Sequence, residues 1–121
     1  MSKKQPKNYY FNDGTQEAIK ELVTNKDTMS FEEREILYNL KIKPALSKLV
    51  ENLIFIYGIK IPNEDFNSLK HDCVVFLYEN LHKFNPDKGS KAFSYFNIVA
   101  KNWLILRAKQ SSRHVKRTVL Y

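Results

Sequence analysis

The sequence predicts an all-α protein, a compact bundle of about four helices with an N-terminal arm and a basic C-terminal tail. Three observations predict it. Apolar residues recur at intervals of three and four rather than two. Proline and glycine are scarce, four and three in 121 residues, so few positions force a turn. Helix-start chemistry, an amide, serine or acid ahead of a periodic segment, recurs along the chain. The length suits one domain around a single core, with residues 1–12 as a flexible arm, 13–112 as the helical domain and 113–121 as the tail.

A first helix follows Asn12-Asp13, with Ala18, Ile19, Leu22 and Val23 as its apolar side. Ser30-Phe31-Glu32-Glu33 reads as a capping box, in which Ser30 accepts from the Glu33 amide while the Glu33 carboxylate reaches back. The helix that starts there carries Ile42, Leu46, Leu49, Leu53 and Ile56 inward and stops at Gly58; Pro44 should kink or divide it. Ile61-Pro62-Asn63-Glu64-Asp65 announces a third helix, with Phe66, Leu69, Cys73, Phe76, Leu77 and Leu81 as its buried stripe. That leaves Asn67, Ser68, His71, Asp72, Val75, Tyr78, Glu79 and His82 outside or at the edges. The turn Phe84-Asn85-Pro86-Asp87-Lys88-Gly89 comes next, and Ser90 caps a last helix running to about Ser112. Beyond it RHVKRTVLY has no clear period.

Charge is distributed unevenly. Residues 1–87 hold 12 Lys+Arg against 13 Asp+Glu, whereas residues 88–121 hold 8 Lys+Arg and no acid, so the whole excess of +7 sits in the last third. A single-sign block of this kind suits a polyanion, nucleic acid above all; the alternative is a solvated surface that aids solubility. No apolar run approaches a membrane span. The start, MSKKQPKNYYFNDG, lacks the apolar core of a secretory signal, so a cytoplasmic protein is expected. One cysteine, Cys73, excludes an internal disulfide, and three histidines make a zinc site improbable, so neither metal nor cofactor is expected. Nor is an enzyme: no Cys/His, Ser/His or paired-carboxylate set stands at usable spacing. His71, Asp72 and Cys73 are neighbours, which a helix turns about 100° apart.

The last helix has two faces. Phe93, Phe96, Ala100, Trp103 and Leu104 share one side, the core side. Opposite lie Tyr95, Asn102 and Lys109, flanked by Ile98, Val99, Ile105 and Leu106, with Lys101 further round. A ring stacks on an unpaired base, an amide pairs with a base edge, and lysines neutralise phosphates. Ile98 and Val99 could instead pack on another helix or domain.

From Asp65 to Leu104 these residues resemble region 2 of sigma-70-family initiation factors, in which a helix rich in acids and amides leads through an F-D-P-x-K-G turn to an aromatic helix. Leu69, Asp72, Lys83, Lys91 and Tyr95 align with that pattern, and Lys101-Asn102 echoes its basic-amide pair. Asn80-Leu81-His82-Lys83-Phe84 is similar to the entry to the turn in the small late-transcription sigma factors of T-even-type tailed bacteriophages.

The resemblance implies that the chain binds bacterial core RNA polymerase in the host cytoplasm and recognises promoter DNA. Docking on the clamp coiled coil of the largest subunit would fall to Ser68, His71, Asp72 and Tyr78, with Val75 and Glu79 beside them; only Asp72 keeps its counterpart's chemistry. The helix after the turn would read an A·T-rich −10-like element on the non-template strand through Tyr95, Ile98, Val99, Lys101, Asn102, Ile105 and Lys109, with Lys88 and Lys91 nearby. The tail from Arg107, including Arg113, Lys116 and Arg117, would lie along upstream phosphates. Ile98 and Val99 stand where primary sigma factors have a tryptophan pair, which implies weaker melting and reliance on a coactivator or on a very A·T-rich element. The phage group also carries an acidic, hydrophobic C-terminal motif for the sliding clamp; this sequence ends TVLY without it, so the expectation is a shortened chain or a lost partner. A rival reading is an adapter or inhibitor that docks on polymerase without touching DNA.

Overall fold

Side-chain caps set the starts of three helices among the described residues of this structure. The computed structural model describes residues 10–25, 27–62, 64–88 and 91–119, with side chains as far as Gln110. Among them are five α-helices and no strand: α1 (Asp13–Thr24), α2 (Phe31–Leu37), α3 (Lys43–Ile56), α4 (Phe66–Glu79) and α5 (Ala92–Val119). None is long and apolar enough to cross a membrane.

α1 starts where the sequence places it: the Asn12 side chain accepts from the Thr15 N–H at 3.1 Å. Residues 1–9 of the expected arm lie outside the described residues. Its last part does not behave as an arm, because Phe11 is buried and meets Phe93 edge-on at 5.5 Å. α2 opens on the expected capping box, with Glu33 N–H to Ser30 Oγ and Ser30 N–H to Glu33 Oε1 both at 3.1 Å.

The single long helix expected from Ser30 to Gly58 is divided. Between α2 and α3 the chain makes one π-helical turn, Tyr38–Ile42, closed by the Lys43 N–H on the Tyr38 carbonyl. Pro44 has no N–H and clashes with the carbonyl four residues back in a regular helix, so the division expected of it falls at this wider turn, directly ahead of α3. Tyr38 and Ile42 are buried there. Ile42, Leu46, Leu49 and Leu53 face the core as predicted; Ile56 does not. Val50 and Ile54 are buried, while Phe55, Ile56 and Tyr57 are 68%, 73% and 50% exposed. Burial needs a partner, and at the end of α3 only Ile54 is enclosed, while Phe55 is covered on one face by Phe66. Gly58 then turns the chain with φ of +56°, a conformation that favours glycine.

In α4 the buried residues are Leu69, Cys73, Val74 and Leu77, followed by Leu81 in a short 3₁₀ turn. The expected stripe had Phe66 and Phe76 in place of Val74. Both rings are half-buried and cover the rim, Phe66 stacked on Phe55 at 5.3 Å and Phe76 on Trp103 at 6.0 Å. α3, α4 and α5 pack on one another, and α1 closes the bundle.

α5 buries Ala92, Phe96, Ala100 and Leu104, an oblique row at steps of four in which two alanines admit neighbouring helices closely and two large side chains fill the gaps. Phe93 and Trp103 are half-buried at its edges. The expected cap Ser90 lies outside the described residues. The first N–H of α5, on Ala92, donates instead to Gln16 Oε1 of α1 at 2.7 Å, a cap supplied from 76 residues away. The helix continues to Val119, past the expected end at Ser112, since no proline or glycine interrupts it and Lys, Arg, Gln and Ala are good helix formers.

Gln16→Ala is therefore expected to lower stability by about 1 kcal/mol, and Gln16→Glu, which still accepts and adds a favourable charge at a helix start, to restore it. Urea unfolding followed by circular dichroism measures both.

Candidate nucleic-acid interface

The turn between α4 and α5 is built from its own residues. Asn80 ends α4 by donating from Nδ2 to the Phe76 carbonyl at 2.7 Å. Asn85 Oδ1 accepts from the Asp87 N–H at 2.9 Å, and Pro86–Lys88 forms a 3₁₀ turn. Phe84 is buried beneath it, so the turn is anchored to the core. The chain then runs back along α4: Phe84 meets Phe96, Trp103 meets Phe76, and Arg107 reaches Asp72 and Glu64. Two adjacent antiparallel helices thus carry the two predicted surfaces.

On α5 the outer row is Ser94, Ile98, Asn102 and Leu106, one residue per four, with Lys109 beyond it. Ile98 and Leu106 are 56% and 55% exposed, so two large aliphatics stand among the exposed polar side chains of this row. Asn102, Lys109, Lys88 and Lys91 are exposed as expected. Val99, Lys101 and Ile105 are half-buried. So is Tyr95, which the sequence directed fully outward: its ring is tilted against Phe84 at 5.4 Å and edge-on to Phe96 at 5.0 Å. Tyr95 borders the core side, and the anchored turn covers that border. The side chains of Arg113, Lys116 and Arg117 lie outside the described residues.

Arg107 departs from the expectation that it heads a run of phosphate contacts. Its guanidinium lies 2.6 Å from Glu64, 3.9 Å from Asp72 and over the Trp103 ring at 5.6 Å. Most of its charge is met within the molecule. Sequence reading also missed Tyr57, whose half-exposed ring lies beneath Lys101 with Nζ 6.0 Å from its centroid. Tyr57 and Lys101 are far apart in the chain, and no local pattern joins them.

The predicted docking positions on α4 do share a face. Ser68, His71, Val75, Tyr78 and Glu79 are exposed and fall within about a third of the helix circumference. Asp72 is on the same side, half-buried and turned toward Arg107. Tyr78 is steadied by an edge-on contact with Tyr38 at 4.5 Å. Asp65 caps α4 by accepting the Ser68 N–H at 2.7 Å; that bond, with the Ser68 hydroxyl, holds its carboxyl below the usual carboxylate range.

His71 is exposed, whereas Cys73 is buried, and burial pushes the Cys73 thiol up from 9.0 to about 12. The three neighbours do not converge. Among the described residues no cluster of His, Cys, Asp and Glu could hold a metal ion. No family model matches the chain, and neither a curated protein nor a solved structure does.

Asn102→Ala and Ile98→Ala are expected to change stability by less than about 0.5 kcal/mol, while Phe96→Ala costs about 3–5 kcal/mol; chemical unfolding separates the two classes. The buried thiol also gives a pH signature. Its folded pKa is raised, so its contribution is complete below the unfolded pKa near 9.0 and is lost as pH climbs toward about 12. Unfolding free energy should fall from about pH 9 upward, the thiol contributing up to about 1.4 kcal/mol per pH unit. The Tyr38 phenol, pushed by burial from 10.0 to about 12, adds to the fall at higher pH. Cys73→Ala should flatten the part of the decline that begins near pH 9.

Proposed function

We propose that this chain is a phage-type sigma factor for late transcription: it binds bacterial core RNA polymerase, recognises an A·T-rich −10-like promoter element and helps to open it. The observation that carries this reading is the pairing of two outward faces across one anchored turn. α4 offers Ser68, His71, Val75, Tyr78 and Glu79, and α5 offers Ile98, Asn102 and Lys109, with the turn Phe84–Lys88 between them. The α4 face would take the clamp coiled coil of the largest subunit. The α5 face would take the non-template strand, its amide pairing with adenine and its aliphatics lying against unstacked bases.

Two details refine the reading. Tyr95 rests on Phe84 and keeps only part of its ring free, so it would present an edge or part of a face to the strand rather than act as a free-standing wedge. Ile98 and Val99, aliphatic and shorter than the tryptophan pair of primary sigma factors, would separate a duplex weakly. A coactivator, a sliding clamp or negative supercoiling would supply the remainder. Lys88, Lys91, Lys109 and the tail residues Arg113, Lys116 and Arg117 would add sequence-independent affinity that falls with salt.

The second reading, an adapter or inhibitor that docks on polymerase and never touches DNA, draws on Ile98 and Leu106, whose exposure suits a protein partner as well as bases. One pair of measurements separates the two. With core polymerase and an A·T-rich promoter panel, Asn102→Ala combined with Lys109→Ala should reduce promoter binding by the holoenzyme about tenfold or more, with core binding retained. His71→Ala with Tyr78→Ala should do the reverse. Promoter binding untouched by the α5 pair favours the adapter, and failure of the wild-type chain to bind core removes both.

A further inference from the structure

Where α3 ends, Tyr57 and the Gly58 turn lie beside α5, and between them is a shallow, open cleft. The cleft has a volume of about 370 Å³ and is lined by Tyr57, Lys60, Ile105, Ala108 and Lys109 around the Gly58 turn. Its floor is apolar and its mouth carries ammonium groups. Lys101 adds a third cation, 6.0 Å from the centre of the Tyr57 ring. No carboxylate is among the lining residues; of the two in the neighbouring groove behind Lys60, Glu64 is held by Arg107 at 2.6 Å and Asp65 accepts the Ser68 N–H at 2.7 Å.

We infer that this cleft binds one unpaired nucleobase and its flanking phosphate in single-stranded DNA, with Tyr57 as the stacking ring and Lys60, Lys101 and Lys109 as the phosphate contacts. A ring half open to solvent, an aliphatic and alanine floor, and lysines without acids are together what a base and its phosphate require. A lysine near a tyrosine ring loses little by swinging to a phosphate, because a contact at 6.0 Å is at the outer limit of cation–π attraction. The chemistry also favours an unpaired strand: a base stacked inside a duplex has no free face to offer the half-exposed Tyr57 ring. The assignment rests on the reading of α5 as a strand-holding helix and extends its track across to α3, since Lys101 and Lys109 belong to both surfaces.

The test uses the whole chain and fluorescein-labelled oligodeoxynucleotides of about a dozen residues, oligo-dT and oligo-dA, at about 50 mM and 200 mM salt. In anisotropy titrations Tyr57→Ala should weaken binding about tenfold, and Tyr57→Phe should recover most of it because stacking needs only the ring. Lys60→Ala, on the exposed side of the turn, should lower the salt slope by about 1. In Tyr57→Trp the new indole should be quenched by oligonucleotide, over a steady background from Trp103, which is half-buried against Phe76. Single-stranded RNA and a labelled duplex of the same sequence serve as the competing ligands. Equal or tighter binding of either overturns the assignment to single-stranded DNA. Tyr57→Ala and Lys60→Ala that bind like wild type while Asn102→Ala binds weakly would overturn the cleft and leave the α5 reading standing. No binding by the wild-type chain also overturns the cleft, and the polymerase reading is then judged by its own core-binding measurement.

Discussion

The buried row Ala92, Phe96, Ala100 and Leu104 is the contact on which the rest of the molecule depends. All four are buried, and through them α5 packs on α1, α3 and α4 together. A helix cannot rotate one side inward without rotating the other outward by the same angle. Seating this row therefore dictates that Ile98, Asn102 and Leu106 meet solvent. Phe96 and Leu104 supply most of the apolar area, at about 1.5–3 kcal/mol for each such side chain fully buried. The alanines between them set how closely the partner helices approach.

The same seating explains why the aromatics divide as they do. Phe84 lies under the turn and gives Tyr95 a surface to rest on; Phe76 does so for Trp103, and Phe11 for Phe93. Each ring beside the buried row is thus held by a ring from another element. Rings held in this way change conformation little on meeting a ligand, which lowers the entropic cost of binding. Electrostatics follow the packing as well. The acid-free segment from Lys88 onward is not uniformly available, because Arg107 is engaged by Glu64 and Asp72 while Lys101 leans over Tyr57. The usable positive charge is displaced toward Lys60, Lys109 and the turn lysines.

Much of this was legible in the residues. Asn12, Ser30 and Asp65 each cap a helix through a side chain and a backbone N–H three residues on, a contact that lies within one turn and so appears in a short window of sequence. The exposed face of α4 and the exposed row of α5 follow from periodicity for the same reason. Where reading failed, a distant element had intervened. Ile56 was left without cover at the end of α3, and Tyr95 gained a cover from the anchored turn.

What the sequence alone determined was helical class, cap chemistry, the separation of faces on α4 and α5, and the confinement of excess cations to the last third. Tertiary structure alone decided that Gln16 caps α5, that Arg107 answers to Glu64, and that Tyr57 and Lys60 stand beside Lys101 and Lys109. The physical reason is range. Caps and periodicity act within a turn or two of one helix, whereas these pairings join residues 40 or more positions apart, which only packing brings together.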